Sequence, residues 1–447
     1  MATTTKAPFL STAYSAYHHR GRPAEDLELS RVGPGTPCGE YLRRFWQPVV
    51  LSEDLRDLPK RLRILGEDLV AFRDKSGAVG LLELHCPHRG TSLEFGLVGE
   101  KGIRCCYHGW LFDVDGTILE TPGEPADSTL KDRLFHGAYP VHEYHGLVFA
   151  YMGSPEAQPE FPILDTFDLP GYQLAARQGT VWPCNWLQVK ENSMDPAHLA
   201  FLHTLPGSQG FTDDLGALGE WDWMETPAGM VYIDTRRQGD RVWVRVADFI
   251  LPNIHQFPPN ADPMALRTTF NRPAATTWAV PLDDTHTMQI GFRRTLEGRD
   301  LRPGNGFGQD GARSYEERQR IPGDYDAQIS IHDGMARHGL EHLASTDRGV
   351  IMMRNLVRQG IRAVQNGASR ARNSRPNGKV TPTYSHDRVV PGIPPAATPE
   401  EDKRLLREIA RKVVTDAVQR GGCHCIRTTN FAIWRRHHTV PRRKLHI

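Results

Sequence analysis

Two short loops, LHCPHRG at residues 84–90 and RCCYHGW at residues 104–110, decide how this sequence folds. Each loop offers a thiol–imidazole pair, spaced as C-x-H in the first and C-x2-H in the second: Cys86 with His88, and Cys105 with His108. Such a set suits either a tetrahedral Zn²⁺ or a [2Fe–2S] cluster in which two cysteines hold one iron and two histidines the other. Because each loop offers one ligand of each kind, it can contact both irons, which favours the cluster.

The sequence around these loops predicts a small antiparallel β domain. Residues 66–84 alternate between apolar and polar positions on either side of a turn at 74–77, which predicts a hairpin. A second turn at 113–116 and a strand at 147–151 extend the pattern. Four prolines then fall within sixteen residues: Pro155, Pro159, Pro162 and Pro170. We therefore expect an N-terminal arm at 1–37, the β domain at 38–154 and a second domain at 155–447.

The second domain is predicted to be α+β, with a central antiparallel sheet flanked by helices. Strand-like runs lie at 230–235, 242–250, 276–281 and 287–293, and helical stretches at 186–202 and 329–364. The last helix has the clearest ends, because Thr398 and Glu401 can form a capping box, Pro399 occupies the first helical position and Gly421 stops it. The fold class of the whole chain is thus α+β.

A second metal motif lies in the segment ENSMDPAHLAFLH at residues 191–203. Asp195 and His198 are three positions apart and share a helix face, whereas His203 is five positions beyond His198, about 140° round an ideal helix. The helix must therefore end, bend or carry a π-bulge if both imidazoles are to reach one ion. Two imidazoles and a carboxylate form the facial triad used by Fe(II) oxygenases, although two histidines on a helix are more often structural.

Together the motifs C-P-H-R-G, C-x-Y-H-G-W-x-F-D-x-D-G and E-N-x-x-D-x-x-H-x4-H resemble the α (terminal oxygenase) subunit of Rieske non-haem iron aromatic-ring-hydroxylating oxygenases. The resemblance implies a cluster held by Cys86, His88, Cys105 and His108. Cys105 is preferred to Cys106, because Cys106 stands where the family often has proline. It also implies that His198 and His203 bind a mononuclear iron.

The same resemblance implies the remaining site residues. Asn192 and Asp195 belong to the catalytic machinery, and Asp195 would link His198 to a cluster histidine of a neighbouring subunit. The third iron ligand must be a distant carboxylate, for which we choose Asp347, near the start of the segment that resembles the family's late helix. Four other acidic residues compete with it: Asp324, Asp326, Asp333 and Glu341.

The function implied is that of a terminal oxygenase with a [2Fe–2S] cluster, Fe(II) and O₂ as co-substrate. The sequence has no dinucleotide or flavin fingerprint, so electrons are expected from a separate NAD(P)H-dependent flavin/iron-sulfur reductase. The segment 42–49 looks most similar to phthalate-dioxygenase-like members, which implies an aromatic carboxylate substrate, ring hydroxylation or O-demethylation, and a homotrimer or a pair of trimers. A non-oxygenase iron-sulfur electron-transfer module or a zinc-binding module is the alternative.

Charge and composition exclude several partners. Lys plus Arg number 54 and Asp plus Glu 53, a net charge of +1 that argues against nucleic acid. No apolar run approaches the roughly 18 residues of a membrane span, and the N-terminus has no signal core, so we expect a cytoplasmic protein. Arg241, Trp243 and Arg245 could present a cationic strand face to a substrate carboxylate. Cys423, Cys425 and the basic tail after Gly421 have no assigned role.

Overall fold

The computed structural model describes residues 9–18, 24–204, 216–259, 269–298, 312–368 and 380–422. The first half of the chain contains three small antiparallel sheets, β1–β10–β9, β2–β3–β4 and β5–β6–β7–β8. Their strands are β1 Trp46–Leu51, β2 Lys60–Ile64, β3 Glu67–Arg73, β4 Val79–Glu83, β5 Leu97–Val98, β6 Ile103–Arg104, β7 Leu111–Phe112, β8 Ile118–Glu120, β9 Val141–Tyr144 and β10 Leu147–Tyr151. Three short helices accompany them: α1 Leu27–Ser30, α2 Pro37–Leu42 and α3 Leu130–Arg133.

The second half is built on a nine-stranded sheet with the order β12–β19–β18–β16–β15–β14–β13, to which β21 and β17 are added alongside β15. Its strands are β12 Tyr172–Trp182, β13 Glu220–Thr226, β14 Gly229–Gln238, β15 Arg241–Ile250, β16 Ile254–Phe257, β17 Phe270–Asn271, β18 Ala275–Asp283, β19 His286–Leu296 and β21 His386–Pro391. A separate parallel pair joins β11 Ile163–Leu164 to β20 Val380–Thr381.

Helices cover this sheet. They are α4 Trp186–Asn192, α5 Ala197–Phe201, α6 Tyr315–Arg320, α7 Asp324–Ile329, α8 Arg348–Gln365 and α9 Pro399–Gln419. Single 3₁₀ turns lie at Ala16–His18, Ser52–Asp54, Leu93–Phe95, Pro155–Ala157, Ile331–Gly334, His338–Leu340 and Ser345–Asp347. The α+β class and the antiparallel central sheet are confirmed. Among the described residues no helix is both long and apolar enough to cross a membrane.

One apolar core extends through both halves of the chain. Phe149 of β10 packs edge-on against Trp278 of β18, with the ring centroids 5.5 Å apart, and Phe292 of β19 lies within 6.1 Å of the same Phe149 ring. The sheet β1–β10–β9 and the large sheet are therefore packed against each other through buried aromatic rings, whereas Cys86 and Cys105 of the two loops belong to a separate apolar cluster. The boundary at residue 154 stays a prediction, since packing does not separate the two parts there.

The structure confirms the predicted turn of one hairpin and the predicted start of one helix. The hairpin around residues 74–77 is formed by β3 and β4, and α9 begins with a capping box between Thr398 and Glu401 and has Pro399 in its first turn. The buried face of α9 packs against β13, β14 and β15. The predicted helix at 329–364 is instead divided, because α7 ends at Ile329 and the regular helix α8 starts only at Arg348.

A buried ion-pair cluster holds α8 against α4. Arg354 of α8 donates from Nε to Glu191 Oε1 at 2.6 Å and from Nη1 to Glu341 Oε2 at 2.6 Å. Arg354 and Glu191 are buried. Removing the guanidinium would leave two carboxylates without a counter-charge. The resulting loss of folding stability is larger than the net stability that the intact ion pairs contribute.

We expect Arg354→Met to lower the free energy of unfolding by about 3–5 kcal/mol, measured by urea denaturation followed by tryptophan fluorescence. Arg362→Met is the matched control on the same helix, because its ion pair with Glu28 is exposed and should contribute less than about 1 kcal/mol. Equal effects of the two substitutions would show that the buried pair does not hold α8 in place.

Candidate metal centres and substrate cavity

The two thiols of the paired loops lie together below the surface. Cys86 and Cys105 are each 3% exposed, and their thiols are within hydrogen-bonding distance of each other. Burial raises the pKa of Cys86, and backbone N–H groups of His88 and Arg89 that donate to its sulfur act in the opposite direction. Amides aimed at a buried sulfur are the arrangement that stabilises a metal-bound thiolate.

Both loops bend in the same way. The loop after Cys86 closes at Gly90, whose N–H donates to the Cys86 carbonyl at 2.8 Å, and the loop after Cys105 closes at Gly109, whose N–H donates to the Cys105 carbonyl at 3.1 Å. The φ angles of these glycines are 78° and 75°, a left-handed conformation that side chains disfavour. The glycines let each short loop turn back so that its cysteine and histidine face the same point.

The imidazoles of His88 and His108 lie together, closer to the surface than the two thiols. The His88 and His108 rings are T-shaped with centroids 4.6 Å apart, and His88 also stacks on Trp110 at 4.8 Å. His88 is exposed and His108 half-buried, whereas both thiols are buried. Paired thiols inside and paired imidazoles outside fit a [2Fe–2S] cluster with a different ligand type on each iron.

A second ligand group forms where α5 ends. The helix stops at Phe201, so the predicted end between His198 and His203 is confirmed, and the two rings turn towards each other with centroids 5.2 Å apart. The Oδ1 atom of Asp324, the first residue of α7, lies 3.6 Å from His198 Nε2 and 3.3 Å from His203 Nε2. Two imidazole nitrogens and one carboxylate oxygen, all within 4.8 Å of one another, fit the facial triad of non-haem iron.

The structure does not bring Asp347, the third ligand chosen from the sequence, to the two imidazoles. Asp347 precedes the first residue of α8, and its Oδ2 accepts a hydrogen bond from the backbone N–H of Ala344 at 2.7 Å. Its carboxylate is therefore held within its own turn and does not belong to the group around the two imidazoles. Asp324 takes this place because α7 packs directly against α4, the helix that precedes the histidines.

The predicted catalytic residues Asn192 and Asp195 both contact this group. Asn192 Nδ2 donates to Asp324 Oδ1 at 3.3 Å. The His198 Nδ1 atom contacts the backbone carbonyl of Asp195 and lies 3.8 Å from its Oδ2. Asp195 precedes α5 rather than lying within it, and its Oδ1 accepts from the Ala197 N–H at 2.9 Å. Such outer contacts set the orientation and tautomer of metal-binding side chains.

Burial and hydrogen bonding act in opposite directions on the two carboxylates. Burial alone would raise the pKa of Asp324, but the contacts with His203 and Asn192 outweigh it and lower that pKa overall. Burial raises the pKa of Asp195, against the opposing effect of His198. Asp324 is thus kept in the ionised form that a metal ligand needs.

A cavity of about 160 Å³ lies between these helices and the face of the large sheet. An apolar cavity of roughly 150 Å³ accepts benzene, so this one has room for an aromatic ring. The helices supply Asn192, His198, Asp324 and Gln328, and the turn after α5 supplies His203. The sheet supplies the opposite wall, which includes Arg177, Tyr232, Arg245, His255, Gln256, Phe257 and Thr277.

The cationic strand predicted at 241–245 is only partly related to this cavity. Arg245 lines it, but its guanidinium pairs with Asp387 at 3.4 Å and donates to the carbonyls of Pro258 and Pro259. Arg241 is exposed. Arg177 of β12 is the arginine that differs, because its side chain makes no hydrogen bond or ion pair with any residue that the structure describes. Burial and the nearby Arg293 lower its pKa.

Comparisons with known proteins agree with this geometry. Residues 45–168 match the Rieske [2Fe-2S] domain family. The oxygenase subunit of tert-butanol monooxygenase / tert-amyl alcohol desaturase from Aquincola tertiaricarbonis is 43% identical over 432 residues, covering 90% of this chain and 91% of that protein. The chain belongs to the Rieske-type oxygenases. Another relative, the α subunit of phenoxybenzoate dioxygenase from Ectopseudomonas oleovorans, is 40% identical over 381 residues, covering 80% of this chain and 90% of that protein.

A solved structure shares the fold of this Rieske-type oxygenase. Dicamba monooxygenase bound to dicamba superposes with a TM-score of 0.58 at 18% identity, covering 73% of this chain and 98% of that chain. The resemblance inferred from the motifs is therefore confirmed, and with it the cofactor set of cluster, mononuclear iron and O₂. Relatives that are named as oxygenase subunits also argue against the zinc-binding or purely electron-transferring alternative.

Sequence patterns did not single out two residues of the cavity wall, Arg177 and His255, or the buried Lys190 beside it. Arg177 and His255 lie on strands that we did not predict, β12 and β16, and Lys190 lies on α4 between motif residues. The strand alternation of 172–182 could have revealed β12, but not which face lines a cavity. Cys423, Cys425 and the basic tail beyond residue 422 lie outside the described residues.

Proposed function

We propose that this Rieske-type oxygenase acts on an aromatic carboxylate, with the ring in the cavity and the carboxylate on Arg177. The observation that carries the proposal is a cavity-lining guanidinium with no anionic partner among the described residues, on the wall opposite His198, His203 and Asp324. An arginine in such a position binds a planar carboxylate through two parallel hydrogen bonds. The reaction is ring hydroxylation or O-demethylation.

The metal-binding roles form part of the same proposal. Cys86, His88, Cys105 and His108 would hold the cluster, and His198, His203 and Asp324 the mononuclear iron. When bound, the two groups supply single electrons and activation of O₂. Two other residues position these ligands. Asn192 donates a hydrogen bond to the Asp324 carboxylate. The backbone carbonyl of Asp195 accepts a hydrogen bond from the Nδ1–H of His198, which fixes the tautomer of that imidazole.

The shape of the cavity also supports an aromatic substrate. Trp182, Tyr232 and Phe257 lie among the lining residues, and aromatic rings prefer offset or edge-on contacts with one another. A carboxylate bound at Arg177 would place the far side of the ring towards the helices. The position of the attacked carbon would then depend on how far that ring extends from β12.

The partners in the proposal follow from the role of an oxygenase subunit. Oxygenase subunits act with separate electron-transfer components. We infer that here this component is an NAD(P)H-dependent flavin/iron-sulfur reductase and that the chain assembles as a trimer or a pair of trimers. A cytoplasmic location stays a prediction.

A small tertiary alcohol is the competing substrate class. It is favoured by the relative from Aquincola tertiaricarbonis, which is named for tert-butanol and aligns with most of this chain. An alcohol cannot neutralise a guanidinium, and Arg177, which is half-buried, would keep a partly desolvated charge without a counter-charge. Arg177 therefore favours an anionic aromatic substrate over a small tertiary alcohol.

Arg177→Met is expected to weaken benzoate binding about 30- to 1000-fold, because a hydrogen-bonded charge pair inside the cavity would lose one partner. Binding of anisole, which has the ring but no charge, should change less than about 3-fold. Isothermal titration calorimetry of the oxidised holoenzyme measures both. Arg293→Met is the matched control, since Arg293 is exposed and does not line the cavity. Equal loss of benzoate and anisole binding would mean that Arg177 only supports the shape of the cavity.

A further inference from the structure

A buried polar pair that the metal centre does not use joins α4 to β16 beside the cavity. The Nζ atom of Lys190 on α4 contacts Nδ1 of His255 on β16. Lys190 is 0% exposed and has no carboxylate partner among the described residues. Burial lowers the pKa of Lys190 well below its usual range, and burial together with Lys190 and Arg177 lowers the pKa of His255.

This pair is not explained by stability. A buried amine without a counter-charge costs free energy even when one hydrogen bond is made. Methionine has a similar shape and would fill the same space without that cost. A lysine at position 190 therefore points to a role that depends on its hydrogen bond with His255.

We take Lys190 as the donor in this hydrogen bond, since a lysine amine can donate in either protonation state. Nδ1 of His255 then accepts, and the proton of the neutral imidazole is on Nε2. His255 lines the cavity, and its Nε2 makes no hydrogen bond with any described residue and is not enclosed. The ring also stacks on Phe257 at 5.4 Å, which fixes its plane. An N–H donor is thus presented to the cavity.

We propose that His255 determines substrate specificity by donating from Nε2 to the carboxylate that Arg177 binds, and that Lys190 is a positioning residue that fixes the required tautomer. The inference rests on the proposed function, since it needs a carboxylate in this cavity. Arg177 supplies a positive charge, whereas the neutral imidazole of His255 donates one directional hydrogen bond to the carboxylate. The two residues lie on different strands, so together they fix both the position and the orientation of the carboxylate.

The test is equilibrium binding of benzoate and anisole to the oxidised holoenzyme, measured by calorimetry. His255→Phe is expected to weaken benzoate binding about 10- to 100-fold and anisole binding less than about 3-fold, since only benzoate has an anionic acceptor. His255→Gln, which keeps an N–H donor, should recover benzoate binding to within about 5-fold of wild type. Lys190→Met should weaken benzoate binding about 3- to 30-fold with no loss of thermal stability.

A double substitution isolates the positioning role. If Lys190 acts through His255, Lys190→Met should cause no further loss of benzoate binding in the His255→Phe background. A full additional loss there would overturn the role of Lys190. Unchanged benzoate binding in His255→Phe, with the loss in Arg177→Met intact, would overturn the inference and leave the proposed function standing. Failure of the wild-type holoenzyme to bind benzoate or 3-phenoxybenzoate would overturn both.

Discussion

Asp324→Ala protein is expected to contain about two irons per chain where the wild type contains about three, and to form product more than about 100-fold more slowly. The reason is geometric: Asp324 Oδ1 is the oxygen that lies 3.6 Å and 3.3 Å from the two imidazole nitrogens. Without it the iron would have two neutral ligands only. Metal analysis gives the iron content, and the visible spectrum of the cluster should not change.

Asp347→Asn is the matched control for this experiment. Asparagine is as good a residue as aspartate before the first turn of a helix, so α8 should keep its start. We expect about three irons per chain and activity within about 3-fold of wild type. If Asp347→Asn lost the iron and Asp324→Ala kept it, the ligand assignment would be reversed and the sequence-based choice restored.

The second large effect is expected at the cluster. Cys105→Ser should remove the [2Fe–2S] cluster, with its visible absorption and its electron paramagnetic resonance signal, and lower the iron content to about one per chain. A serine hydroxyl is a poor substitute for a thiolate, and Cys105 is one of two buried thiols in contact. Product formation should fall below detection, because electrons could no longer enter.

The neighbouring Cys106 provides the control for that substitution. Its thiol is exposed, whereas that of Cys105 is buried, although the two residues are adjacent in the sequence. Cys106→Ser should keep the cluster spectrum, the iron content and the activity. Loss of the cluster in Cys106→Ser with retention in Cys105→Ser would show that the loop is displaced by one residue from the arrangement described.

The features that the sequence predicted correctly are those determined locally. The loops at 84–90 and 104–110 each bring a cysteine and a histidine together within five residues, and the closing glycines lie in the same stretch. The start of α9 is fixed by Thr398, Pro399 and Glu401, which are also neighbours. The end of α5 between His198 and His203 follows from the helical repeat alone.

The features that could not be predicted depend on which distant segments come together. Asp324 and Asp347 both start helices, and nothing in the local sequence says which helix packs on α4. Only the tertiary contact of α7 with α4 brings Asp324 to the imidazoles. Likewise Arg177 and His255 share a cavity because β12 and β16 belong to one sheet, with two strands between them. Strand order over such separations is not encoded in local patterns.

The most direct test of the account is a single turnover of the anaerobically reduced holoenzyme. The protein is mixed with O₂ and either 3-phenoxybenzoate, a methoxybenzoate or tert-butanol, and the products are identified by mass spectrometry. We expect an oxygenated or O-demethylated product from an aromatic carboxylate, with product from tert-butanol at least about 10-fold lower. Product from tert-butanol, with none from either aromatic acid, would contradict the role of Arg177 and the proposed substrate class.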